Sequence, residues 1–206
     1  MRLENYKDRA KKAGSAILQF LKPFIGAALI IGFLQVTGLL GTVTYASNWA
    51  LLQTGLKNAS DEAEDTGEMF NYDFLIKDMN GQRISVSQFK GKVIFINLWA
   101  TWCGPCRAEM AGIEELYKEV DKSKIEFIML SLDRDADHDK IVAYMKKKGF
   151  TFTAYQPSGT LPAILDVPSI PTTFIISKDG KVLQKEVGSM KYNTKKFRDF
   201  LTRISQ

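Results

Sequence analysis

Cysteine and histidine are nearly missing from this 206-residue chain, which holds two of the first and one of the second. A structural zinc needs about four cysteine, histidine or carboxylate ligands, so no zinc or copper site within one chain is expected. Cys103 and Cys106 are separated by only two residues, and a bond between them closes too short a loop to restrain the unfolded chain much. Their purpose is therefore read as chemical. His138 is placed at a solvated helix start. The spacing of Asp133, Asp135 and Asp137 is similar to a calcium loop, but His138 stands where such a loop needs glycine and Tyr144 where it needs glutamate, which rejects that reading.

Charge is missing in one place. From Pro23 to Leu56 there is no acidic or basic residue. The net charge of +5 is equally uneven, because six of the 28 basic and two of the 23 acidic side chains lie in the first 22 residues, leaving 22 and 21 for the rest. The remainder is almost neutral, which removes the main argument for nucleic-acid binding. The run "FIGAALIIGFLQVTGLLGTVTY", Phe24 to Tyr45, spans roughly 33 Å as one helix, enough to cross a hydrocarbon core of about 30 Å. Basic residues before it place the N-terminus in the cytoplasm and the remainder outside. A cleaved signal peptide, with Thr44 and Ala46 before the cut, and a buried core helix are the rival readings; the long basic region and long apolar run favour the anchor.

The expected organisation is a cytoplasmic basic segment over 1–22, an anchor region over 23–52, a polar solvated linker over 53–68 and a folded domain over 69–206. Within that domain Asn80-Gly81 predicts a hairpin, "VIFINLWA" and "IEFIMLSL" predict buried strands, and the spacing of Met110, Ile113, Leu116, Tyr117 and Val120 predicts an amphipathic helix from about Cys103. A helix ending at Gly149, a short strand "FTFTA", a hairpin turning at Asp179-Gly180 and a last helix capped by Asn193 or Thr194 complete the order.

Strand therefore gives way to helix at the cysteines. A cysteine in the first turn of a helix faces unpaired N–H groups and the positive end of the dipole, which favour thiolate over thiol. Cys103 is thus the expected nucleophile. Cys106, three residues on along the same face, is the expected resolving thiol. Pro105 fits a first-turn position, and Gly104 admits another chain. Trp102 either shields the sulfur or simply packs.

"WCGPC" after a buried strand resembles thioredoxin-fold active sites, and "VPSIPTTFIIS" supports the likeness. That resemblance implies that Pro171 is cis opposite the cysteines and that the Ile170 backbone pairs with a substrate peptide. Over residues 69–206 the chain is similar to the TlpA/ResA group of membrane-anchored, extracytoplasmic thiol-disulfide oxidoreductases. The resemblance implies an α/β thioredoxin-like fold with an N-terminal β-hairpin and a helix-strand insert near 137–154, preceded by one transmembrane helix. It implies reduction of protein disulfides, apocytochrome c being the group's best-known substrate class, with no cofactor beyond the redox-active Cys103–Cys106 pair. A membrane thiol-reductant transporter is implied as electron donor. Substrate contacts fall to Trp102, Gly104, Pro105, Ile170 and Pro171.

Two departures bear on the site. Asn97 stands where cytoplasmic thioredoxins carry a buried aspartate, and the glutamate that ResA-like proteins place three residues after the second cysteine is Glu109. On its helix, Glu109 is either a proton acceptor for Cys106 or an ordinary solvated charge. Gly104-Pro105 replaces the Glu-Pro of ResA, which bears on potential and substrate range. The rivals are a dithiol oxidase of the same fold, a peroxiredoxin, for which Thr101 is misplaced, and a thiol or copper-binding module without turnover.

Overall fold

Gly38 divides the apolar N-terminal run into two helices. The computed structural model describes residues 2–64 and 66–206, with side chains from Gln19 onward, and its contacts separate the chain into two units, 1–43 and 44–206. Helix α1 spans Arg2–Val36 with Pro23 inside it, and α2 spans Leu39–Gln53. The single helix expected from Phe24 to Tyr45 is thereby corrected. Gly38 takes φ +71°, a left-handed value that costs glycine little, while Thr37 turns its hydroxyl back to the Phe33 carbonyl at 2.7 Å. The stretch long and apolar enough to cross a membrane is Gln19–Val36, 18 residues or about 27 Å, none of it buried.

The second unit is built on a seven-stranded sheet in the order β2-β1-β5-β4-β3-β6-β7. Its strands are β1 (Leu75–Asp78), β2 (Arg83–Ser85), β3 (Val93–Trp99), β4 (Ile125–Ser131), β5 (Ala154–Pro157), β6 (Thr172–Ile176) and β7 (Val182–Val187); its helices are α3 (Gly104–Glu119), α4 (His138–Lys148) and α5 (Lys195–Ile204). β3 runs parallel to β4 and antiparallel to β6. β5 adds beside β4 in parallel and takes the β1–β2 hairpin onto its far edge. This is the thioredoxin-like α/β arrangement, with the hairpin and the helix-strand insert that the sequence implied.

Every residue of β3 is buried, and the strand alternates between two cores. Val93, Phe95 and Trp99 face the helix-packed side with Met110, Ile113, Phe197 and Phe200. Ile94, Ile96 and Leu98 face the other with Phe174, Ile128 and Tyr155. Phe95 stacks on Phe127 at 4.7 Å and meets Tyr192 edge-on at 5.1 Å.

Three expectations shift. The strand placed over "FTFTA" forms later, at Ala154–Pro157, because Phe150 and Phe152 turn inward and stack at 5.1 Å while Thr151 binds Glu114 through its N–H and hydroxyl. His138 opens α4 as expected, yet its ring nitrogens lie 2.9 Å from Gln156 Oε1 and 3.2 Å from the Met79 carbonyl, tying the first hairpin to β5. The polar stretch read as a solvated linker is mostly exposed but docked: Lys57 and Ala59 bond Lys191, Glu64 bonds Leu183, and Gln184 donates to the Ser60 and Glu62 carbonyls. Such backbone bonds leave no trace in composition.

Candidate active site

The end of β3 is pinned before the cysteines begin. The Leu132 N–H donates to the Trp99 carbonyl at 2.8 Å. Asp133, buried at the end of β4, accepts from the Thr101 N–H at 2.8 Å, the Thr101 hydroxyl at 2.7 Å and the Ser131 hydroxyl at 2.7 Å. That carboxylate holds the turn from which Cys103 projects. The sequence singled Asp133 out only for a calcium spacing; its position directly after a buried strand and opposite the motif was the better signal.

Cys103 is the N-cap of α3, with Gly104 and Pro105 in the first turn, and its sulfur accepts from the Cys106 N–H at 3.1 Å. The two cysteines form a disulfide, with Cα atoms 5.3 Å apart. Cys106 is fully buried and Cys103 nearly so, at 5% exposure. The Ile170–Pro171 peptide is cis, the isomer the resemblance implied, and the Ile170 carbonyl oxygen lies 3.8 Å from Cys103 Sγ. Thr172 bonds the Ser169 carbonyl at 2.8 Å, and the Gly188 N–H bonds that of Pro171 at 2.8 Å, so the loop facing the cysteines is held from both ends. Trp102 does not pack inward: it is 66% exposed and borders a cleft of about 540 Å³ shared with Leu132, Arg134, Asp137 and Lys140. Of the five residues given to substrate contact, Trp102, Gly104 and Pro105 adjoin the cysteines along the chain, Ile170 meets Cys103 through its carbonyl oxygen, and Pro171 follows it.

Glu109 is not a solvated charge. It is 1% exposed, its Oε1 accepts from Asn97 Nδ2 at 2.8 Å and its Oε2 from the Met190 N–H at 3.0 Å. Asn97 also donates to Thr173 at 2.9 Å. Burial pushes the Glu109 carboxyl up to about 8, against the opposing pull of the Met190 and Asn97 hydrogen bonds. Tyr192, fully buried and facing this carboxyl, is held well above its ordinary range by burial first and Glu109 second. Met190, Thr173 and Tyr192 were missed from the sequence. The three aspartates that are spaced like a calcium loop are engaged elsewhere: Asp133 as above, Asp135 with Lys77 at 3.0 Å, and Asp137 with Lys140 at 2.6 Å and Arg134 at 2.9 Å.

A disulfide at a helix N-terminus, met by the loop of a cis-proline and followed one turn along the helix by a buried carboxyl, is a centre for thiol-disulfide exchange. Comparison with known proteins agrees. The Redoxin family model matches residues 59–202. A thiol-disulfide oxidoreductase ResA of Bacillus cereus is 35% identical over 116 residues, 56% of this chain and 66% of the relative, so the match falls just short of two thirds of ResA. Thioredoxin-like protein YneN of Bacillus subtilis (strain 168) is 31% identical over 171 residues, 82% of this chain and 92% of the relative. The solved thiol:disulfide interchange protein of Chlorobium tepidum TLS shares the fold, with TM-score 0.55 and 22% identity over 68% of this chain and 98% of that one. The chain belongs to the redoxin family and, within it, to the TlpA/ResA-like thiol-disulfide oxidoreductases.

Proposed function

We propose that the protein is a membrane-anchored, extracytoplasmic reductase of protein disulfides. The observation that carries this reading is the placement of Cys103 at the α3 N-cap, with the Cys106 N–H on its sulfur and the buried Glu109 one helical turn beyond Cys106. In the dithiol form the same N–H and the helix dipole favour the Cys103 thiolate. That thiolate attacks a substrate disulfide, forms a mixed disulfide and expels the first substrate thiolate. Cys106 then loses its proton to Glu109 and attacks Cys103 Sγ, which releases the second substrate thiolate and leaves the Cys103–Cys106 disulfide. Substrate gains two electrons; the enzyme pair loses them.

A carboxyl raised to about 8 in the disulfide form is matched to taking a proton from a thiol near neutral pH, with its ionised fraction, which grows toward pH 8, as the acceptor. Trp102, the Gly104-Pro105 turn and the Ile170 backbone beside cis-Pro171 line the approach for an extended peptide. Apocytochrome c, whose haem-attachment cysteines must be reduced, is the substrate class that the family suggests. The chain has no third cysteine, so re-reduction requires an external dithiol. An extracytoplasmic domain receives it from a membrane thiol-reductant transporter. The basic N-terminal segment before the apolar helix supports a cytoplasmic N-terminus.

The test is trapping. Full-length Cys106→Ser protein is expected to accumulate mixed disulfides through Cys103 in cells, and Cys103→Ser to lose insulin reduction in detergent micelles. Absence of adducts together with unimpaired insulin reduction overturns the assignment.

A further inference from the structure

The loop after β7 connects three things that the mechanism uses separately. Gly188 bonds the cis-proline, and Met190 holds Glu109. Between them Ser189, 1% exposed, donates its hydroxyl to Asn48 Oδ1 at 2.9 Å, and Lys191 pairs with the chain just after α2, bonding Lys57 at 2.7 Å and Ala59 at 3.1 Å. The last turns of α2 are thus fastened to the loop that supplies one of the two hydrogen bonds to Glu109. Cations fasten them again: Arg107 of α3 and Lys148 of α4 lie over the Tyr45 ring at 5.8 and 5.7 Å.

The same turns close off the carboxyl. A cavity of about 140 Å³ reaches Glu109 between α2, α3 and the loop; Trp49 and Leu52 wall it on one side, Ala108 and Gly112 on the other. Leu52 is 4% exposed and Trp49 49%, which leaves Trp49 as the part of that wall open to solvent. Nothing in thiol exchange itself requires a segment so far upstream of the sheet to meet this site.

We propose that the helical segment Tyr45–Gln53 is a positioning part of the redox centre: Asn48 fixes the loop that holds Glu109, and Trp49 with Leu52 keeps water from that carboxyl. The inference rests on the reading of Glu109 as the proton acceptor for Cys106. Among the described residues the other titratable groups around Glu109 are Tyr192 from the loop, and Glu115 and Lys191 at the cavity border; Cys106, one turn before it on α3, is held in the disulfide and titrates only in the dithiol form. Glu186 of β7 acts on Tyr192. β3 and β6 contribute Asn97 and Thr173, which do not titrate, and α2 contributes no titratable group to the cavity.

The experiment uses the full chain in detergent micelles, in its disulfide form, with glutamate carboxyls labelled with ¹³C for an NMR titration. The parent is expected to show one carboxyl with a midpoint near 8, identified by its loss in Glu109→Gln. Trp49→Ala admits water and is expected to lower that midpoint by about one unit, with Trp49→Phe restoring most of it. Asn48→Ala, which leaves the wall in place, is expected to speed amide exchange at Met190 by roughly tenfold. A parental midpoint in Trp49→Ala, or a parental Met190 exchange rate in Asn48→Ala, overturns the inference while leaving Glu109 as acceptor. A parent with no glutamate titrating above the ordinary range, or a titration that survives in Glu109→Gln, overturns the inference, and unimpaired insulin reduction in Glu109→Gln overturns the reading of Glu109 and the inference with it.

Discussion

The two faces of β3 are equally buried and differently built. One row, Ile94, Ile96 and Leu98, is apolar throughout and packs into apolar neighbours. The other begins in the same way with Val93 and Phe95, then places Asn97 opposite Glu109, followed by Trp99 and the cysteines. Burying a carboxyl costs several kcal/mol unless it keeps its proton or its hydrogen bonds. In the disulfide form Glu109 does both, with two donors and a proton affinity raised to about 8. The comparison teaches that the dry row serves stability, and our proposal assigns chemistry to the interrupted row, although the two are one residue apart along a single strand.

That division predicts different consequences for substitutions on the two rows. Ile96→Ala, on the dry row, is expected to lower stability by about 2–5 kcal/mol in urea unfolding, with insulin reduction per folded molecule preserved. Glu109→Gln reverses the pattern: stability at pH 8 holds or rises, while turnover falls roughly 100-fold for want of a proton acceptor. Equal effects of the two substitutions on both readouts would erase the distinction.

The pH dependence of stability sharpens the comparison further. Folded Glu109 binds its proton to about 8, against a reference near 4.5, so between these values the unfolded chain releases the proton first. Its contribution is therefore complete below about pH 4.5 and lost as pH rises toward 8, with a slope of at most about 1.4 kcal/mol per unit. Glu109→Gln is expected to remove that slope from urea titrations; Ile96→Ala is expected to shift the curve without changing its slope. Smallest is a control away from both rows. Thr194 caps α5 by accepting from the Phe197 N–H at 3.2 Å, and Thr194→Ala is expected to cost about 1 kcal/mol with no change in turnover.

The dry row, the helix of the cysteines and the hairpins were legible in the sequence because each rests on local periodicity or turn chemistry. "VIFINLWA" reads as a buried strand, and Cys103 as a helix cap, from neighbours alone. Cys103, Cys106 and Pro171 followed from the motif. Glu109 was singled out by the resemblance, but its burial was not legible, because its partners Asn97 and Met190 lie 12 and 81 residues away, and only the sheet brings them together. The break at Gly38 was hidden by the apolar run around it. The docking of residues 57–64 was hidden by backbone hydrogen bonds, which a polar composition neither requires nor forbids.

The central claim is that the proton leaving Cys106 passes to Glu109 as the disulfide forms. Infrared difference spectroscopy of the full chain at pH 7, between its dithiol and disulfide states, tests it most directly. The account requires a Glu109 carboxylate in the dithiol form that gives way to a protonated carboxyl signal on oxidation in the parent, a change missing in Glu109→Gln. An identical carboxyl spectrum in both redox states would contradict it.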